Sequence, residues 1–157
     1  MIRNILVVCE GNLCRSPIAQ ALLTRSLPGL AVASAGLSAI DGRPADTVTH
    51  GLSYTRGIDL SAHRAARLDG RMCLAADLIL AMEQEQVHAI ETAYPFTRGR
   101  VYRLAGTSDI PDPYRQPHAR YERAIALIEQ GVRDWVARVH QMNGRRDARS
   151  AARQQQA

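Results

Sequence analysis

Short apolar runs alternate with amphipathic stretches along this 157-residue chain. Asn4–Val8 carries four consecutive apolar residues, the pattern of a strand buried on both faces. Ser16–Ser26 reads as a helix: Ser16 is a capping residue, Pro17 suits the first helical position, and Ala19, Leu22 and Leu23 share a face. Leu30–Ala35, ending at Gly36, reads as a second strand, Leu78–Ala81 as a third and Arg100–Leu104 as a fourth. The intervening patterns predict helices over Ala45–Thr55, over Ser61–Arg71 with Ser61 as cap, and over Glu83–Ala93 with Pro95 beyond its end. Thr107–Pro117 is a proline-rich loop. His118–Met142 is a long amphipathic helix, with Ile125, Ile128, Val132, Trp135 and Val139 at three-to-four spacing. Tyr121, near its start, is read as helix surface.

Strands alternating with helices predict a single α/β domain: a four-stranded parallel sheet with helices on both faces. Such sheets bind ligands beyond the carboxyl ends of their strands, and Cys9 stands at one of those ends. The domain is expected over residues 1–143. Residues 144–157 are rich in Arg, Ala and Gln without a folding pattern and are expected to form a disordered basic tail.

Composition narrows the function. No apolar stretch approaches the roughly 20 residues that span a bilayer, and Ile5–Val8 is too short for a signal-peptide core, so a cytoplasmic protein without membrane insertion is expected. The three cysteines are odd in number and show no zinc spacing, and the histidines form no HxxxH pair, so neither a disulfide framework nor a metal site is expected. Every basic residue is arginine. Of the net charge of +5, the tail holds +3, from four arginines against Asp147. Aromatic residues are too sparse to interleave with basic ones, and a nucleic-acid partner is not expected.

The chemistry concentrates in Cys9-Glu10-Gly11-Asn12-Leu13-Cys14-Arg15-Ser16-Pro17. Curved backbone can aim successive N–H groups at an anion. Gly11 permits positive φ, and Asn12 tolerates it better than most residues. The helix start adds the positive end of its dipole, and Arg15 can grip two phosphate oxygens with its planar fork. The same field favours a thiolate at Cys9, and Ser16 can donate a hydroxyl to the sulfur. A bare Cys-x5-Arg match is weak, since 20 arginines in 157 residues give any cysteine about one chance in eight of finding one there. The strand before, Gly-Asn within and Ser-Pro after are what the phosphate reading requires and a core cysteine does not.

These residues resemble the signature of the low-molecular-weight protein tyrosine phosphatases. The likeness continues through Ser34-Ala35-Gly36, Ala62–Arg67, Asp77–Met82 and Ile110-Pro111-Asp112-Pro113-Tyr114, and is nearest to the bacterial branch associated with exopolysaccharide and capsule production. The resemblance implies a cofactor-free enzyme that hydrolyses phosphotyrosine through a cysteinyl-phosphate and releases inorganic phosphate. Cys9 would be the nucleophile, Arg15 the phosphate clamp, Ser16 the thiolate partner, and the loop Cys9–Ser16 the cradle. Asp112 and Asp109 are rival acids on the residues alone; the resemblance favours Asp112. It further implies support of the loop by Asn12, Ser34 and His63, and a redox partner in Cys14. Leu13, Ile40 and Tyr114 are expected to wall the pocket. Glu10 departs from the small or apolar residue common in relatives and should point away from the phosphate. Cys73 is read as core. The implied substrate is the tyrosine-rich tail of a bacterial tyrosine autokinase; the oligomeric state is left open. Arsenate reduction on the same scaffold and turnover-free phosphotyrosine binding are the alternatives.

Overall fold

The computed structural model describes residues 1–155. Four strands, β1 (Asn4–Cys9), β2 (Ala31–Gly36), β3 (Leu78–Ala81) and β4 (Val101–Arg103), form an all-parallel sheet in the order β2-β1-β3-β4. Five helices connect and follow them: α1 (Arg15–Ser26), α2 (Thr47–Tyr54), α3 (Gly70–Ala75), α4 (Gln84–Ala93) and α5 (His118–Gln155). Period-two alternation divides the core. Ile5, Val7, Leu78 and Leu80 pack with α1 and α5, whereas Leu6, Val8, Ile79 and Ala81 pack with Cys73 of α3 and with Val87 and Ile90 of α4. The continuous apolar strands β1 and β3 are therefore covered on both faces, as their sequence requires. Gly131 lets α5 ride directly on the end of β4, because a Cβ there would lie 2.8 Å from the Leu104 carbonyl oxygen.

Three segments differ from the sequence reading. Ser61–Arg71 is not a helix: α3 begins at Gly70, with the Asp69 carboxylate accepting from the Met72 amide. The preceding residues donate their backbone to other segments instead, Ala65 to the Arg43 carbonyl at 2.7 Å and Ala66 to the Asn12 side chain at 2.9 Å. These long-range partners outweigh local helix propensity. Helix α1 starts at Arg15, so Ser16 lies inside its first turn and Cys14 occupies the cap position without a side-chain cap bond. Pro17 still falls in that turn, where its missing N–H costs nothing. Finally, α5 continues through residues 144–155, where an irregular tail was expected. All twelve are exposed, and Ala, Arg and Gln are strong helix formers that extend an already nucleated helix. The last two positions of that expected tail lie outside the described residues. Among the described residues, no helix is long and apolar enough to cross a membrane.

Candidate active site

Strand β1 delivers Cys9 to its carboxyl end, beside the end of β3, and the chain turns immediately into α1. Asn12 makes that turn with φ of 57°. Its amide lies 3.3 Å from the Cys9 sulfur, and the Ser16 hydroxyl lies 2.9 Å from the same atom. Cys9 is a free thiol, only 2% exposed. The Asn12 amide donates to the sulfur, and the Ser16 hydroxyl, which itself accepts from the Asn12 side chain, lies within hydrogen-bond reach of it. The uncapped start of α1 leaves first-turn amides open to an anion.

Arg15 is buried yet held from three sides. Its Nη1 donates to the Ile110 carbonyl at 2.7 Å and pairs with the Glu83 carboxylate, and Nη2 lies 3.6 Å from Asp112. Glu83, the cap residue of α4, was missed by the sequence reading. A signal was present: an acidic residue stands two positions past the buried strand β3, which neighbours the strand carrying Cys9, where ligands of parallel sheets bind.

The loop rests on a buried polar network. The Asn12 amide nitrogen donates to Ser16 Oγ at 2.7 Å and to Ser34 Oγ at 3.0 Å, and its oxygen accepts from the Ala66 amide. Ser34 in turn donates to Gln20 at 2.5 Å, a partner the sequence reading did not name. His63 Nε2 lies 2.7 Å from the Asn12 carbonyl oxygen, so Nε2 carries the proton. Desolvation, with Arg64 adding to it, holds His63 below its usual pKa of 6.5 against the opposing effect of that bond. His63 sits in a turn, not on a helix surface. Gly36 closes the network: a Cβ there would lie 2.6 Å from the Glu10 carbonyl oxygen and 2.9 Å from the Asn12 amide.

A cleft of about 170 Å³ opens over the sulfur, lined by the loop together with Arg43, Asp112 and Tyr114. Asp112 is 45% exposed at the cleft; its Oδ2 lies 3.6 Å from Arg15 Nη2 and its Oδ1 accepts from the Tyr114 amide at 3.1 Å. Asp109 is committed elsewhere: it caps Gln84 and pairs with Arg103, and both interactions hold its carboxyl below the usual range. Leu13 and Tyr114 line the cleft, but Ile40 does not; it is 64% exposed, while Ala39 turns inward and Arg43 reaches the cleft. Glu10 is drawn to the rim, where its carboxylate accepts from Ser38 Oγ at 2.6 Å. Tyr121 is not surface: it is 3% exposed and packs with Leu13, Cys14 and Ala65 beside Tyr114, its hydroxyl accepting from the Arg115 amide. The Cys14 thiol is pushed up to about 12 by burial. Cys73 is wholly buried beneath the sheet.

A buried cysteine, a clamped arginine and an exposed carboxylate around one small cleft define a phosphatase-type site on a parallel α/β sheet. The family model for low molecular weight phosphotyrosine protein phosphatases matches residues 4–145, and the chain belongs to that family. It is 48% identical over 141 residues to "Probable low molecular weight protein-tyrosine-phosphatase EpsP" of Ralstonia nicotianae, covering 88% of this chain and 97% of the relative. Its structure is similar to that of the tyrosine phosphatase Wzb from Escherichia coli K30 in complex with sulphate, with TM-score 0.86 and 32% identity over 88% of this chain and 99% of the other. The YwlE arginine phosphatase from Geobacillus stearothermophilus has the same fold, with TM-score 0.83 and 32% identity over 88% of this chain and 94% of that one.

Proposed function

We propose that this phosphatase works through a cysteinyl-phosphate formed on Cys9. The thiolate attacks phosphorus as the phosphorus–phenolic oxygen bond breaks, and protonated Asp112 gives its proton to the departing phenolate. Arg15 and the amides of Gly11–Ser16 stabilise the equatorial oxygens. Water then attacks the phosphocysteine, Asp112 takes its proton, and the sulfur–phosphorus bond breaks to free inorganic phosphate and the thiolate. The observation that carries this reading is the Cys9 sulfur facing Ser16 and the Asn12 amide in the cleft that Asp112 also lines.

Leu13 and Tyr114 offer apolar walls to an aromatic ring, which supports phosphotyrosine over phosphoarginine. The proposed cellular substrate is the tyrosine-rich tail of a bacterial tyrosine autokinase that controls exopolysaccharide production, met in the cytoplasm. Cys14 is the proposed partner of an oxidised Cys9, and at neutral pH it meets that sulfur as a thiol. Arsenate reduction usually employs a downstream cysteine pair, and Cys73, the cysteine that follows, is sealed in the core.

Cys9→Ser should abolish turnover of phosphotyrosine; retained turnover contradicts the mechanism. Asp112→Ala should slow a poor leaving group such as phenol far more than p-nitrophenol, and equal losses would remove Asp112 as the acid. Faster turnover of phosphoarginine than of phosphotyrosine would overturn the substrate assignment.

A further inference from the structure

Among the described residues, two non-glycine residues take positive φ, and both lie at this site: Asn12 in the loop and Arg115, at 59°, three residues after Asp112. Asparagine adopts that region readily, whereas a long side chain does so at a steric cost. Strain of this kind collects where the side chain is used. The Arg115 turn is held by its amide on the buried Tyr121 hydroxyl at 3.2 Å. The guanidinium lies 5.1 Å from the centre of the Tyr114 ring, the aromatic wall of the cleft. Cation–π contact holds the charge beside the ring. Arg43 reaches the same cleft from the loop before α2. Both arginines are exposed, and among the described residues neither has a carboxylate within ion-pair distance. The two acidic groups at the cleft are engaged elsewhere, Glu10 with Ser38 and Asp112 with Arg15.

We propose that Arg115 and Arg43 form a cationic lip that takes a second anionic group on the peptide bearing the phosphotyrosine. This rests on the phosphatase reading and extends it from the phosphate to its neighbours in the peptide. The shared chemistry is a carboxylate or a second phosphate, and the arms of the test separate these sources. Neither is used in the bond-breaking steps, so the lip sets specificity.

The test compares kcat/KM for three phosphotyrosine peptides of one length: flanked by alanines, by glutamates, or by a second phosphotyrosine. Exposed ion pairs contribute up to about fivefold each, so an anionic flank should raise kcat/KM about tenfold for the wild type. The ratio should shrink as salt rises. Arg115→Gly preserves the left-handed turn, since glycine takes positive φ freely, and combined with Arg43→Gln it should bring the ratio to about one. Arg43→Glu should favour lysine flanks. A preference confined to the doubly phosphorylated peptide assigns the lip to phosphate, and equal preference assigns it to anions generally. A wild-type ratio near one, with the alanine peptide still turned over, overturns the lip alone. A ratio that survives the double substitution does the same. No turnover of any peptide by the wild type overturns the phosphatase reading with it.

Discussion

Replacing Asn12 tests how the phosphate loop is held. Its side chain makes three hydrogen bonds, a buried one to Ser16 and partly buried ones to Ser34 and the Ala66 amide, and its backbone sits at positive φ. Each bond contributes about 1 kcal/mol, and leaving the partners unpaired keeps that cost from being recovered. An alanine in the left-handed region adds about 1 kcal/mol of strain relative to asparagine. Asn12→Ala should therefore lose about 4 kcal/mol, and Asn12→Gly, free of the strain, about 3 kcal/mol. For a domain of this size 4 kcal/mol lowers Tm by about 8–16 °C. Urea unfolding gives the free energies, and calorimetry the Tm. Ser34→Ala removes one of the same bonds, so its effect in the Asn12→Ala background should be smaller than alone. Loss of less than about 1 kcal/mol in Asn12→Ala, or identical stability of the Ala and Gly variants, would refute the reasoning on bonds and strain respectively.

Two further predictions concern the loop's neighbours. Gly36→Ala would drive a methyl into the Glu10 carbonyl and the Asn12 amide, so binding of inorganic phosphate, followed by titration calorimetry, should weaken at least about tenfold; unchanged affinity contradicts the close approach. His63 has a folded pKa below its unfolded 6.5, because burial disfavours its charged form. The native state then binds fewer protons than the unfolded chain around that pH, so this group's stabilisation is present above pH 6.5 and is lost as pH falls through the folded value. The Tm advantage of wild type over His63→Gln should shrink between pH 7.5 and 5, and parallel curves would refute it.

The strands were legible because a sheet buried on both faces demands continuous apolar runs, and Leu78–Ala81 has the predicted boundaries. Cys9, Arg15 and the Asp-Pro-Tyr turn each have a local signature in the sequence, and the structure brings Cys9, Arg15, Asp112 and Tyr114 to one cleft. What could not be read was set by distant partners. Ser61–Arg71 looks helical until the Arg43 carbonyl and the Asn12 side chain claim its amides. Tyr121 looks like surface until the acid turn folds over it. Ile40 and Arg43 exchange places because no period governs which residue of an irregular loop faces inward. Glu83 reads as the first residue of an ordinary helix, and its partner Arg15 lies 68 positions away.

The central claim, a phosphate carried on Cys9, is tested most directly by rapid acid quench of the enzyme turning over phosphotyrosine, followed by mass spectrometry of its peptides. The account predicts one phosphoryl group on the peptide containing Cys9, accumulating further in Asp112→Ala with p-nitrophenyl phosphate because the water-activating base is gone. Turnover with no phosphorylated Cys9 peptide in either enzyme, or phosphate on another residue, would contradict it.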